Sequence, residues 1–392
     1  MNKQKLLVLI ALGLASGSVF AAQERVIKVQ NQVRLGYDDN VYATDDDEID
    51  SAYITDIINI SAKLNFSSRT DMLLHWQPEF KYWFDVPGDE FVTYQDVYAR
   101  LNHAVSQRTF VMISDHFRYQ DKEGQSGDIN SFDQSYIEND LMGSVDYTIN
   151  AVSQIKVGGG YMLRVWDEDD YGKGEAANNF DKYTANGSYI REVRPNETKL
   201  IGGANYTTVD YEGSRGGYDS VALFGGVDQN FNPNLTGFGR FGYSFSTVTD
   251  TFDGDYDTSN PYLQTGLEYN PTARSSFNGS IGYTISQGEN SGYNAQDDLT
   301  FRFGARHDIT AKISLAGTAS YTFSKYESDY ARIETLPTEK EQYLQLGIRA
   351  SYQINRNNFV DAGYMYTNRD TDKGILADYD RNRMDIGWRI RL

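Results

Sequence analysis

From Arg274 to Phe323 apolar residues occupy every second position, stop at a short polar turn, and resume. Phe277, Gly279, Ile281, Tyr283 and Ile285 share one face, and Asn278, Ser280, Gly282, Thr284 and Ser286 share the other. Leu299, Phe301, Phe303 and Ala305 likewise oppose Thr300, Arg302, Gly304 and Arg306, and the series from Ile313 to Phe323 follows the same rule. Side chains of a strand alternate with period two, so one face meets an apolar medium and the other meets water. The chain is built this way throughout and has little else to form a second layer. An all-β fold is expected, a transmembrane antiparallel up-and-down β-barrel.

Tight polar turns recur near 67–70, 106–108, 150–153, 194–197, 232–234, 270–272, 308–310 and 355–357. Their spacing of about 40 residues is that of two membrane strands, a turn and a loop. Eight turns and two terminal strands predict about 18 strands, with both termini on the periplasmic side. Longer acidic segments alternate with the turns, at 45–48, 167–170, 250–257, 327–341 and 370–380, and are expected to be extracellular loops. Solvated loops explain them, with a calcium or lipopolysaccharide-bridging role as the alternative.

Lys3 and Lys5, the apolar run Leu6 to Leu14 and the small-residue end Val19-Phe20-Ala21 have the form of a secretory signal peptide over 1–21, leaving 22–392 as the barrel. No later run approaches the roughly 20 apolar residues of a membrane helix. The 30 Tyr suit the aromatic girdles of an outer-membrane barrel. With 55 Asp and Glu against 36 Lys and Arg, nucleic acid is not an expected partner. The absence of Cys excludes disulfides.

If the apolar parity faces lipid, the other lines the lumen. It carries Arg34, Lys63, Lys81, Arg100, Lys156, Arg164, Arg240, Arg302, Arg306, Arg349, Arg383, Arg389 and Arg391, interspersed with Asp38, Glu79, Asp96, Asp140, Asp146, Glu268, Asp361 and Asp385. Basic residues outnumber acidic ones on this wall of an acidic protein. An electropositive path for an anionic solute is one reading, and charge pairs filling a wet barrel are the other. The cluster Arg302, Arg306, Arg349, Arg383, Arg389 and Arg391 is the leading candidate. Inward Trp83 and Trp166 would suit stacking against sugar rings, or pack the pore. Between Phe110 and Tyr119 apolar residues fall on both parities, so His116 and Arg118 stay unplaced.

Catalysis is not expected. The four His are scattered, no Gly-x-Ser-x-Gly or His-Glu-x-x-His pattern occurs, and no cofactor or metal motif is present.

Leu35-Gly36-Tyr37-Asp38-Asp39-Asn40-Val41-Tyr42 resembles the Tyr-x-Asp-Asn strand that opens members of the Putative beta-barrel porin 2 family. The alternating last strand, from Met384 to Leu392, is similar to the segment by which outer-membrane barrels are recognised by the assembly machinery, although a final Phe is commoner there. The family resemblance implies a Gram-negative outer-membrane pore exporting an exopolysaccharide from a Wzx/Wzy-type pathway. It also implies a periplasmic polysaccharide-export protein docked beneath the barrel, and the barrel itself is expected among outer-membrane lipid and lipopolysaccharide. Two alternatives stand beside it. One is a diffusion porin, for which an inward constriction loop at 167–179 would be the mark, and the other is a non-conducting adhesin or anchor.

Overall fold

The computed structural model describes residues 27–45, 48–86, 91–121, 135–166, 179–212, 216–249, 255–287, 295–327, 340–372 and 378–392. The signal-peptide segment, the 167–170 run and most of the 250–257 and 327–341 runs lie outside the described residues. Strands β1 (Ile27–Asp38), β2 (Ser51–Ser67), β3 (Thr70–Trp83), β4 (Phe91–Ala104), β5 (Thr109–Gln120) and β6 (Tyr136–Asn150) are followed by β7 (Ser153–Trp166), β8 (Phe180–Arg194), β9 (Thr198–Tyr211), β10 (Gly217–Asn232), β11 (Leu235–Thr249) and β12 (Tyr256–Thr272). The series ends with β13 (Ser275–Gln287), β14 (Ala295–Asp308), β15 (Ile313–Glu327), β16 (Lys340–Gln353), β17 (Asn358–Thr371) and β18 (Tyr379–Arg391). Each strand pairs with its sequence neighbours, and β1 closes on β18 from Gln30↔Arg391 to Asp38↔Arg383. The result is the expected 18-stranded antiparallel barrel, in which closure removes every unpaired edge.

One device makes seven of the eight tight turns. The side-chain oxygens of Ser67, Ser106, Asn150, Asn232, Thr272, Thr310 and Asn355 each accept the backbone N–H two residues on, at 2.9–3.2 Å. Short polar side chains that imitate a backbone turn are why the polar punctuation of the sequence marks these corners. At the eighth, Asn196 takes a left-handed φ of 58° and its N–H donates to Glu192 at 2.6 Å. Two corners differ slightly from the sequence reading, since β12 runs on to Thr272 and the β14–β15 corner spans 309–312.

The outer face is apolar. Val33, Leu35, Ile54, Phe241, Phe303, Ile348, Ile386 and Trp388 are all exposed there. Tyrosines toward the loop end of that face donate to acceptors: Tyr37 to Asp50, Tyr161 to Asp181, Tyr206 to Asp219, Tyr321 to Gln342, Tyr364 to Asn382 and Tyr366 to Asp380, at 2.5–2.9 Å. An aromatic body with its hydroxyl turned toward polar partners is the arrangement of a membrane–water boundary. A second aromatic row toward the turn end includes Phe66, Tyr147, Tyr189, Phe231, Tyr269, Tyr352 and Trp388.

Candidate functional site: the inner wall and its mouth

The register places every sequence-nominated lumen residue on the inner face: Arg164, Arg240, Arg302, Arg306, Arg349, Arg383, Arg389, Arg391, Trp83 and Trp166 share the parity opposite the exposed apolar one. It also resolves the ambiguous strand. His116 and Arg118 point inward, pairing across β4 and β6 with Tyr98, Asp96, Asp140 and Glu138. The facing is shared, but the surroundings divide these residues into two groups.

Arg302, Arg306 and Arg391 are exposed to the lumen. Arg302 and Arg391 have no carboxylate at ion-pair distance among the described residues, and Arg306 has only a loose 3.3 Å approach to a part-exposed Asp308. Small neighbours explain the accessibility, because Arg302 pairs with Ser280 and Ser320 across its strand. At the turn end, Arg306 and Arg391 border one cavity of about 600 Å³ whose lining carries eight Lys or Arg residues against two Asp, Asp308 and Asp361. With low-dielectric strand walls around it, such an excess focuses a positive potential into the opening.

Arg389 and Arg349 are held. Arg389 donates to both oxygens of Asp361 at 2.8 and 2.9 Å and to Ser351 at 2.9 Å. Its guanidinium lies 4.6 Å from the centre of the Phe359 ring, on which Arg391 also rests at 4.5 Å. Arg349 meets Asp385 at two points, and the space above it, about 450 Å³, is bordered by Arg34, Lys81, Arg349 and Arg383 with Glu79 and Asp385. Gly363 lets Arg349 lie flat on the wall: a Cβ there would come within 2.4 Å of the guanidinium.

The opposite wall is a closed network. Glu138, fully buried, takes a two-nitrogen grip from Arg164 at 2.9 and 2.6 Å and a very close contact from Arg118. Arg164 is also stacked against Tyr136, Trp166 and Phe180 at 4.8, 5.7 and 5.4 Å. Arg240 is similarly engaged, with Asp228 at 2.5 Å and the carbonyls of Val227 and Gly239 at 3.0 Å. Glu138, Asp228 and Lys182 were readable by parity and escaped the sequence reading, which took Asp140 and Asp146 from β6 but not Glu138, and did not carry the alternation through β8 and β10.

Trp83 faces inward as expected but offers no open ring face. It is 1 % exposed, edge-on to Tyr53 at 5.0 Å, with the Lys81 ammonium 4.8 Å from its ring centre. What covers it is the β1–β2 loop. Val41 and Val86 join inward-facing Tyr53, Trp83, Val92 and Tyr94 in one buried cluster, with Tyr42 and Ile49 packed on it. Ala43, at a left-handed φ of 51°, packs against inward-facing Tyr343 and Tyr379.

The loop that folds into the mouth is therefore 39–45. The 167–178 part of the segment nominated for that role lies outside the described residues. Asn40, fully buried, fixes it: Nδ2 donates to the carbonyls of Thr44 and Asp380 at 2.8 and 3.1 Å, and Oδ1 accepts the Thr44 N–H at 3.0 Å. Asp38 takes the Arg381 guanidinium through Nε at 2.9 and 3.0 Å, and Asp39 takes Asn382 through its backbone and side-chain nitrogens at 2.6 and 2.7 Å. The Tyr-Asp-Asp-Asn-Val-Tyr motif thus latches the first loop inward and staples the β1–β18 seam.

Comparison with known proteins agrees with this architecture. Residues 206–392, from within β9 to the end of the chain, match the model of the Putative beta-barrel porin 2 family. No curated protein matches the sequence. Among solved structures, the chain is similar to OccK2 (OpdF) of Pseudomonas aeruginosa, with 10% identity over 93% of this chain and 98% of that one and a TM-score of 0.51. OccK2 is also described in complex with glucuronate. A BenF-like porin from Pseudomonas fluorescens Pf-5 gives 11% identity over 94% and 99% of the two chains and a TM-score of 0.52. At these identities the likeness is one of fold: a porin-type outer-membrane β-barrel.

Proposed function

We propose that this barrel is an anion-selective outer-membrane pore whose cargo is an acidic carbohydrate, an exopolysaccharide moving outward as a single extended chain. The observation that carries the reading is the set of accessible guanidiniums, Arg302, Arg306 and Arg391, with a turn-end cavity where eight cations face two carboxylates. Rings of basic side chains favour anions in pores, and weak repeated contacts let a long polymer advance where tight binding would stall it. Arg349 and Arg389 shape the field from pinned positions, with Arg383 beside Arg349. Arg164, Arg240, Trp83 and Trp166 hold the wall on which it acts. OccK2, a barrel of similar fold, is described in complex with glucuronate, a sugar acid, and this supports the reading.

In this reading the turn end and both termini are periplasmic. A periplasmic polysaccharide-export protein docks there, the barrel machinery recognises the last strand, and lipopolysaccharide surrounds the loop end. Energy comes from synthesis in the inner membrane. A second reading, uptake of small anionic solutes, is favoured by the loop at 39–45, which narrows the mouth.

Two measurements test this. In planar bilayers under a salt gradient, the reversal potential is expected on the anion side, and a cation-selective pore would sink both readings. Deleting the coding region is expected to remove surface polysaccharide, with restoration by the wild-type chain. Unchanged surface polymer together with lost uptake of small organic anions leaves the diffusion pore.

A further inference from the structure

The outer wall is apolar between its two aromatic rows except over one sector. On β7–β18 outward Asp181, Asp219 and Asp380 sit on the loop side of the tyrosine row and accept from it. On β1–β6 two carboxylates break that rule. Asp56 pairs outward with Val33 and Phe80, two to four residues inside the row formed by Tyr37 and Tyr82. Asp115 pairs outward with Ala99 and Leu141, four residues inside Tyr119. Both lie about 7–13 Å along the strand into the hydrocarbon side of the boundary.

A carboxylate facing lipid at that depth is costly and stays where another protein group meets it. Each has one amide beside it on the same face: Asn31 donates to Asp56 Oδ1 at 2.5 Å, and Asn139 donates to Asp115 Oδ1 at 3.0 Å. Both Oδ2 atoms lack a partner among the described residues, and each amide nitrogen keeps a second hydrogen. Between the two pairs, Trp76 Nε1 donates to outward Gln95 at 3.0 Å. The sector therefore presents the same acceptor-plus-donor unit twice, which makes it complementary to itself.

We propose that the outer face of β1–β6 is where copies of this chain meet in the membrane, the Asn31–Asp56 unit of one copy against the Asp115–Asn139 unit of the next. In an 18-stranded barrel each strand takes about 20° of the circumference, so the two units point about 80° apart. Closed rings of three or four need contact directions about 60° or 90° apart, so this angle closes a small ring. Trp76 and Gln95 then face its axis.

The chain has no cysteine, so a Val33→Cys/Leu141→Cys variant, whose thiols sit beside Asp56 and Asp115 and leave both units intact, reads the contact directly by oxidation in intact outer membranes. A ladder of multiples of the chain mass, reversed by reductant and absent from either single variant, is expected. Monomer only, or cross-links to a different protein, overturns the proposal. An independent arm uses Asp56→Leu/Asp115→Leu, which removes the self-complementary groups and suits lipid better. Its expected mass in mild detergent is one chain, against three or four for the wild type, with heat-modifiable mobility and per-chain conductance kept. A variant that stays multimeric also overturns it.

Discussion

The Arg349 guanidinium grips the Asp385 carboxylate through two parallel bonds, Nη1 to Oδ1 at 2.8 Å and Nη2 to Oδ2 at 2.7 Å. Arg34 approaches the same carboxylate from the other side at 3.8 Å, so one anion mutes the field of two cations at the middle of the inner wall. Replacing it unmasks both. Asp385→Asn is expected to shift the reversal potential further toward anions, whereas Arg349→Gln shifts it the other way. Arg349 is about a third exposed, which limits the loss of stability to about 1 kcal/mol. Salt-gradient conductance with a thermal melt checks both signs. An unchanged potential in Asp385→Asn would mean that ions pass elsewhere in the lumen.

Charge reversal should separate accessible arginines from pinned ones. Arg302→Glu, Arg306→Glu and Arg391→Glu replace side chains already in water, so heat-modifiable folding is expected to survive while anion preference or transport falls. Arg389→Glu sets a second carboxylate against Asp361, and Arg164→Glu sets one against the fully buried Glu138. Placing an unpaired charge at such a site costs about 3–5 kcal/mol, and these two are expected to fold poorly. Gel mobility with and without heating, beside single-channel recordings, distinguishes the classes. Equal folding of all five would show that the Glu138 and Asp361 networks are not structural.

The period-two pattern made the strands, their number and the inward facing of all ten nominated residues legible, because facing follows from parity alone. Burial was not legible in this way. Whether an inward arginine meets water depends on residues one strand away and on register, as Ser280 and Ser320 beside Arg302 and Asp361 beside Arg389 show. The mixed strand at 110–119 defeated the pattern for a physical reason. Phe110 and Met112 face the lumen near a turn while Asp115 faces outward, so neither parity is purely apolar there. The inward loop at 39–45 left no periodic trace either, since its placement rests on Asn40 bonds to backbone carbonyls far apart in sequence.

That latch can be opened. Asn40→Ala removes three hydrogen bonds that hold the loop to itself and to Asp380, worth about 2–3 kcal/mol together. The loop is expected to leave the mouth, raising single-channel conductance while the reversal potential, set mostly toward the turn end, stays near the wild-type value. Unaltered conductance would mean that the loop does not narrow the path.

Trp83 gives a sharper test, because its two readings predict opposite substrate effects. As a sugar platform it would need an open face, yet it is buried under Val41 and Val86 beside Tyr53 and Tyr94. Trp83→Ala is therefore expected to lower stability by about 3–5 kcal/mol through lost packing, and to raise conductance by releasing the loop. Trp83→Phe, which keeps an aromatic body, restores most of both. Carbohydrate block of the channel is expected to persist in the Phe variant at the wild-type concentration. A selective loss of block in Trp83→Phe, with melting temperature and conductance unchanged, would instead identify Trp83 as a face that the sugar touches.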